Sequence, residues 1–201
     1  RTERYSLENL QEGFSFRPMA PEDTDMKMFQ TLTQALQRKR VLRFRYKNLG
    51  AKQTQERRVR PYHLACIENH WYLFGWDLKR EAIRTFSLSR LTSPEMTKEE
   101  FKAPKDFDPD EYLRGSFSVF KGKEDYEVVI LFDTWGTDLV RGRQWHASQT
   151  LEELPEGGSR LKMRLSSLEE IERWILGWGM HATVLGPPEL VARMVETTEK
   201  L

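Results

Sequence analysis

The chain has 201 residues, of which 38% are hydrophobic and 31% are charged, and its formal net charge is +1. This composition is typical of a soluble globular protein, and no apolar run approaches the roughly 18 residues of a membrane span, which argues against a membrane protein. Because the N-terminus has no signal-peptide pattern and the single cysteine, Cys66, cannot form an intrachain disulfide, we expect a cytoplasmic protein. The length favours two small domains.

The first 22 residues predict a linker, or an arm that packs on another part of the protein. Residues 1–22 show little periodicity, and Pro18 and Pro21 interrupt the end of this stretch. The sequence starts at Arg1 without an initiating methionine, so we expect that a further segment precedes it.

A helix followed by five short strands is predicted between residues 23 and 91. The helix has a possible N-cap at Asp23 or Thr24, and its apolar side follows a helical spacing through Met26, Phe29, Thr33 and Leu36. The period then becomes alternating, and the five strands are VLRFRYK, QERRVR, YHLACI, HWYLFGW and AIRTFSL. A two-stranded ribbon could not bury so many aromatic side chains, so the strands predict a small β-barrel.

The second half predicts a linker and then a domain of mixed strands and helices. Residues 92–123 carry mixed charges and recurrent prolines, with one short helix in PDEYLRGSF, and are interpreted as the linker. Residues 124–201 predict the order βαββαβα, with strands YEVVILF, QWHASQTLEEL, SRLKMRL and HATVL. This order matches the split-βαβ, ferredoxin-like pattern with one more helix at the end.

The helix predicted in SLEEIERWILGW begins with a capping box formed by Ser167 and Glu170. Trp174 and Trp178 lie four residues apart on one side of this helix, where they either pack on the sheet or form an interface, and packing is the more common fate. Four of the six tryptophans fall in residues 124–201, so we expect this domain to form a homodimer.

The strongest physical signal is a basic segment at residues 38–60, which contains ten Lys or Arg residues and a single acid. In the first predicted strand, Arg43 and Arg45 share one face while Phe44 and Tyr46 serve the other, so the positive charge is concentrated on one surface. Such a surface is either a solvated barrel face or a site for phosphate groups. The net excess of positive charge favours phosphate.

Aromatic and basic residues also alternate in HWYLFGW and IRTFSLSRL. Trp71 and Leu73 fall on one face of their strand and Tyr72 on the other, where the Tyr72 ring either joins the core or stacks on a base. Arg84 and Phe86 are two residues apart and point the same way. A guanidinium could therefore hold a phosphate beside a ring that supports a base.

Signals of catalysis are weak. No histidine stands in a metal-ligand spacing such as HExxH, and no GxSxG, GxxxxGK[ST] or GxGxxG pattern is present. The four widely spaced histidines are His63, His70, His146 and His181. We therefore expect a protein that is not an enzyme and that holds neither a metal ion nor a cofactor.

Taken together, these segments resemble the WYL-domain family of bacterial transcriptional regulators. The tripeptide Trp71-Tyr72-Leu73, for which the family is named, follows ERRVRPYHL and precedes IRTFSLSRL in the family's order, and the similarity runs from about residue 26 to residue 91. The last part of the chain, with EVVILFD, QWHASQ, SRLKMRLSS, LEEIERWILGWG and HATVLGPPEL, is similar to the C-terminal extension that usually follows WYL domains.

The resemblance implies a fold for each half of the chain. It implies a five-stranded SH3-like or Sm-like barrel with a leading helix, and then a ferredoxin-like extension that supports dimers and ligand sensing. Family members usually carry a DNA-binding domain ahead of the barrel, and residues 1–22 are too short to contain one.

The resemblance also implies a binding site. The family's basic pocket, which is proposed to bind single-stranded DNA or another nucleotide ligand, maps onto Tyr72, Arg84 and Arg90, with Arg57 as a reasonable fourth member. Neighbouring side chains extend this set. The predicted site residues are Arg43, Arg45, Tyr46, Arg57, His63, Tyr72, Arg84, Phe86 and Arg90.

The resemblance favours one function and leaves others open. The first hypothesis is a ligand-sensing regulatory region that binds a nucleic-acid or nucleotide-type anion on the barrel and controls an N-terminal DNA-binding domain. The alternative is a general single-stranded DNA or RNA binding module without a switch. At the level of the site, Arg84 and Arg90 could instead tie the barrel end to acids such as Glu95 or Glu99.

Overall fold

The structure, a computed structural model, describes residues 25–104, 107–119 and 121–200. The chain divides into two compact units, with the boundary between residues 105 and 106. Each unit combines helices with one antiparallel sheet, so the fold is of mixed α and β class. No helix in these three described stretches is long and apolar enough to cross a membrane.

The first unit is a five-stranded antiparallel sheet with a leading helix. The strand order is β4-β3-β2-β1-β5. The predicted barrel is not found as a closed one, because no pairing joins the outer strands β4 and β5 among the described residues. The elements are α1 (Met26–Gln37), β1 (Arg40–Tyr46), β2 (Gln55–Ile67), β3 (His70–Asp77), β4 (Ala82–Ser87) and β5 (Leu91–Glu100), with a short 3-10 turn at Leu88–Arg90.

Two strands of the first unit differ from the predicted strands. The segments QERRVR and YHLACI are one continuous strand, β2, whose register shifts between Pro61 and His63, where a proline without an amide hydrogen is tolerated. The fifth strand is β5, which the sequence analysis assigned to the linker. Pro94 is compatible with β5 because that strand lies at the edge of the sheet, where one side of the backbone needs no partner.

The core of the first unit lies between α1 and one face of the sheet. Asp25 caps α1 by accepting hydrogen bonds from the amides of residues 27 and 28, so the cap is not at Asp23 or Thr24, which lie outside the described residues. The helix buries Leu32 and Ala35 and leaves Met26 exposed, so its buried stripe is offset from the predicted one. The face of the sheet that carries Leu42, Phe44 and Tyr46 is called the core face below.

The second unit is a four-stranded antiparallel sheet with the order β7-β8-β6-β9. Its element types and their order are those predicted, but residues 144–149 of the predicted strand QWHASQTLEEL lie outside any strand. In this stretch the Gln149 side chain accepts hydrogen bonds from the amides of Trp145 and His146. The elements are α2 (Pro109–Leu113), β6 (Tyr126–Phe132), α3 (Thr134–Val140), β7 (Thr150–Glu153), β8 (Ser159–Leu165), α4 (Glu169–Leu176), β9 (Ala182–Gly186) and α5 (Pro188–Thr198).

Three of the four tryptophans in the second unit pack against its core. Trp145, Trp174 and Trp178 contact one another edge to face, and Trp174 and Trp178 also contact the buried ring of Phe132. The prediction that Trp174 and Trp178 pack against the core is therefore confirmed. Trp135 differs, since 55% of its surface is exposed.

The capping box predicted at the start of α4 is not formed. Leu168 occupies the N-cap position without a side-chain cap, and the Ser167 hydroxyl donates to the Glu169 carboxylate. The Glu170 carboxylate turns away from the helix and accepts hydrogen bonds from the amides of Ser118 and Val119. The carboxylate therefore fastens residues 118–119, which belong to the predicted linker, onto α4.

Candidate functional site

Three predicted site residues come together where β1 ends. Tyr46, the last residue of β1, is buried, and its hydroxyl oxygen accepts a hydrogen bond of 3.2 Å from the Ser87 amide. The 3-10 turn after β4 folds Arg90 back over the Tyr46 ring, with the guanidinium carbon 5.3 Å from the ring centroid. Arg57, two residues from the start of β2, approaches the same end of the core face.

Arg57 is a buried cation with incomplete hydrogen bonding. Its position opposite Phe44 in the β1–β2 register places it on the core face, and only 4% of its surface is exposed. Nη2 donates to Gln55 at 3.1 Å, and Nη1 lies 3.4 Å from an Asp77 oxygen. That ion pair is long for a charge-assisted hydrogen bond, and neither Nη1 nor Nε has a hydrogen-bond partner among the described residues.

Asp77 is the acid of this site, and it is not among the predicted site residues. The residue is 1% exposed, at the end of β3. One carboxylate oxygen accepts hydrogen bonds from the amides of Lys79 (2.9 Å) and Arg80 (3.1 Å) in the β3–β4 turn, and the other faces Arg57. The sequence does not indicate that Asp77 is buried, because an aspartate beside turn residues is also typical of solvent-exposed turns.

The site is electropositive around one hydroxyl. Burial raises the pKa of the Tyr46 phenol, while the positive charges of Arg90 and Arg57 and the Ser87 amide oppose that rise. The raised pKa keeps the phenol protonated at neutral pH. Because its oxygen already accepts from Ser87, the hydroxyl hydrogen is available to donate to an incoming acceptor.

The structure places the other aromatic and histidine candidates elsewhere. Phe86 is 3% exposed and packs its ring against Phe44 and Tyr46 at centroid distances of 5.3 and 5.0 Å, so it belongs to the core and cannot stack on a ligand. Tyr72 precedes the buried Leu73 in β3 and therefore lies on the opposite face of the strand. His63 pairs with Phe74 across the β2–β3 ladder and contacts its ring.

The remaining arginine candidates lie at the surface. Arg84 is opposite Gly75 in the register of β3 and β4, on the core-face side of an outer strand, and is exposed. Arg43 and Arg45 are exposed on the face away from the core. Arg43 forms an ion pair of 2.5 Å with Glu95.

Acidic residues of β5 neutralise part of the basic segment. Glu95 and Glu99, which were considered as partners of Arg84 and Arg90, instead pair with Arg43 and Arg58. Arg40 pairs with Glu100 in the same way, at 2.7 Å. These exposed pairs add little stability, but they reduce the positive charge on the outer face relative to the Tyr46 end of the sheet.

No metal-binding group of three or more His, Cys, Asp or Glu side chains occurs among the residues that the structure describes. The cluster of Tyr46, Arg57 and Arg90 offers guanidinium and hydroxyl donors. Such donors suit an anion with oxygen acceptors.

Comparison with protein families assigns both units. A model of the WYL domain matches residues 27–96, and a model of the WCX domain matches residues 124–201. The chain belongs to the WYL-domain regulator family. Together the two matches cover about three quarters of the 201 residues. The WYL domain thus holds Tyr46, Arg57, Asp77 and Arg90, and the WCX domain forms most of the second unit.

Two solved structures that match this chain belong to much longer chains. The chain is similar to proteasome accessory factor B/C (PafBC) of Arthrobacter aurescens, with 26% identity, a TM-score of 0.43 and coverage of 87% of this chain and 26% of that chain. A CRISPR Cas-related protein matches with 12% identity and a TM-score of 0.54, covering 87% of this chain and 50% of the other. No curated protein matches the chain.

Proposed function

We propose that this chain is the ligand-sensing region of a bacterial transcriptional regulator, and that its WYL domain binds an anionic ligand of nucleic-acid or nucleotide type at Tyr46, Arg57 and Arg90. One observation carries the proposal. Two guanidinium groups lie close enough to one buried hydroxyl to influence its pKa, and one buried carboxylate, Asp77, opposes them. A phosphate group supplies the missing negative charge and the missing acceptors.

The proposal includes the finer fold and the regulatory output. The leading helix and five antiparallel strands support an Sm-like or SH3-like fold for the WYL domain, and the order β7-β8-β6-β9 with interspersed helices supports a ferredoxin-like WCX domain. The protein acts by binding and not by catalysis. Ligand binding shifts the balance between two arrangements, and an N-terminal DNA-binding domain responds to that shift.

We expect Arg90→Gln to weaken binding of a fluorescently labelled single-stranded oligonucleotide and to lower the salt slope of log K by about 0.7, because one phosphate contact is lost. Tyr46→Phe removes the hydroxyl only, so it should cost about 1 kcal/mol of binding free energy with an unchanged slope. Fluorescence anisotropy at several salt concentrations measures both quantities.

Arg45→Gln is the matched control for Arg90→Gln, since Arg45 is an exposed arginine on the opposite face of β1. Arg84→Gln and Tyr72→Ala test the site that the family resemblance implies. If Arg90→Gln and Tyr46→Phe bind as the unchanged protein does while Arg84→Gln or Tyr72→Ala loses affinity, the ligand binds at Arg84 or Tyr72 and the assignment to Tyr46 fails.

We further propose that the protein is a homodimer through the WCX domain, with exposed apolar side chains of α3 at the contact. Trp135 is 55% exposed and Leu139, one helical turn later, is 40% exposed. Trp135→Asp should shift the molar mass in light scattering from dimer to monomer, whereas Leu49→Asp, at a 65% exposed position in the WYL domain, should leave it unchanged. A monomeric unmodified protein at high concentration would contradict this proposal.

A further inference from the structure

We propose that Arg57 is a shared cation, held by Asp77 in the absence of ligand and taken over by an anionic group of the ligand when it binds. This inference rests on the proposed function, since it adds an exchange of partners at the same site. Asp77 then acts as an internal competitor for the ligand. When Asp77 separates from Arg57, its hydrogen bonds to the amides of the β3–β4 turn are also lost.

The first support is the unfinished hydrogen bonding of Arg57. A guanidinium has five N–H donors, and a buried polar group normally has all its donors satisfied. In Arg57, Nε and Nη1 have no hydrogen-bond partner within the described part of the chain, although the residue is 4% exposed. An oxyanion with several lone pairs could accept from both atoms, which the neighbouring Phe44 and Val59 side chains cannot do.

The second support is the weak hold of Asp77 on Arg57. Arg57 Nη1 lies 3.4 Å from Asp77 Oδ2, which makes an ion pair but not a hydrogen bond. The other oxygen, Oδ1, is committed to the amides of Lys79 and Arg80. Asp77 therefore cannot rotate to form a two-point pair with the guanidinium without releasing the turn. Arg57 remains open to a better acceptor.

The third support is the surroundings of Arg57. The charges of Arg57 and Arg90 both act on the Tyr46 hydroxyl, so an anion beside this hydroxyl is within reach of both cations. Tyr46 is buried, whereas Arg90 is only partly buried and Ser89 is exposed, which makes the 3-10 turn the side from which a ligand enters. Phosphate, free or as part of an oligonucleotide, has the required charge and acceptors.

The exchange predicts a structural signal at the β3–β4 turn. The amides of Lys79 and Arg80 are held by Asp77, and the Leu78 amide donates to the Arg58 carbonyl next to Arg57. Once Arg57 turns to the ligand, Asp77 loses the charge that opposes its own in a buried position. A buried carboxylate without its cation is unfavourable, so Asp77 moves toward solvent and the turn amides lose their acceptor.

The test compares Asp77→Asn with Arg57→Lys, using inorganic phosphate and a short single-stranded oligothymidylate as probes. Asp77→Asn keeps an oxygen for the turn amides but removes the competing charge, so it should bind both probes about tenfold more tightly, the scale of one charge-assisted hydrogen bond. Arg57→Lys keeps the charge without the guanidinium donors and should bind more weakly. Thermal melting of each variant verifies that it is folded.

Hydrogen exchange of the unmodified protein supplies a second measurement that needs no variant. Saturation with oligothymidylate should accelerate exchange of the amides of residues 79 and 80. Two results would contradict the proposed change of Arg57 partner even if Arg90→Gln and Tyr46→Phe behave as expected. One is slower or unchanged hydrogen exchange of these amides in the bound state. The other is an Asp77→Asn variant that is folded and binds the probes no more tightly. If the oligonucleotide does not bind the unmodified protein at all, the proposed function fails first. Tighter binding of oligothymidylate with no binding of inorganic phosphate identifies the polymer as the source of the anion.

Discussion

Replacing Phe86 with alanine is expected to lower the free energy of unfolding of the WYL domain by about 3 to 5 kcal/mol, the range for a buried phenylalanine. The ring is 3% exposed and makes edge-to-face contacts with Phe44 and Tyr46, so its removal leaves a cavity between β1 and β4. Hydrogen exchange of β3 and β4 peptides measures this loss in the first unit alone.

Leu49→Ala is the matched control for Phe86→Ala, because Leu49 is an apolar residue of the same unit with 65% of its surface exposed. It should change the unfolding free energy by less than about 0.5 kcal/mol. If the Phe86→Ala protein keeps its stability and loses only its affinity for oligonucleotides, the Phe86 ring contacts the ligand, as predicted from the sequence. The assignment of Phe86 to the core would then be wrong.

Strands that alternate in polarity were predictable almost to the residue. The segment 126–132 is β6 as predicted, and β1 differs from its predicted segment by one residue at each end, because one face of each strand is continuously apolar. The strand β5 was not predictable in the same way. Its exposed edge position permits a proline and many charges, and its partner, β1, lies about fifty residues earlier in the chain.

The missing strand also affected the interpretation of charge. Ten basic residues in residues 38–60 suggest one strongly positive surface when the segment is considered alone. The pairing of β5 with β1 brings Glu95 and Glu100 next to Arg43 and Arg40, and Glu99 also pairs with Arg58. Local composition could not indicate this neutralisation, because it depends on a contact between distant parts of the chain.

At the candidate site, the residue types were predictable and their grouping was not. Tyr46, Arg57 and Arg90 were all in the predicted set, and the structure brings these three together. The alternation of β3 places Tyr72 on the opposite face from Leu73, whose side chain packs in the core of the first unit. The burial of Asp77 depends on the long strand β2 lying beside it, so only the pairing of β2 with β3 reveals the acid that faces Arg57.

The start of α4 shows a motif whose residues serve another purpose. Ser167 and Glu170 have the spacing of a capping box, but Glu170 is 5% exposed and binds the backbone of residues 118–119. A capping glutamate and a glutamate that fastens a distant segment have the same local sequence. The segment from residue 107 to residue 119 therefore belongs structurally to the second unit.

This arrangement predicts that Glu170→Ala lowers the free energy of unfolding of the WCX domain by about 3 to 5 kcal/mol, because two amides lose hydrogen bonds to a charged acceptor and that of Val119 is buried. Glu170→Gln retains one acceptor oxygen and should have an intermediate effect. Glu169→Ala is the matched control, since its carboxylate is largely exposed on the same helical turn. Thermal unfolding ranks the variants, and hydrogen exchange of the amides of residues 118 and 119 locates the change. Equal destabilisation by Glu169→Ala and Glu170→Ala, with unchanged exchange at those two amides, would mean that Glu170 acts only on the helix terminus and does not fasten the segment that precedes β6.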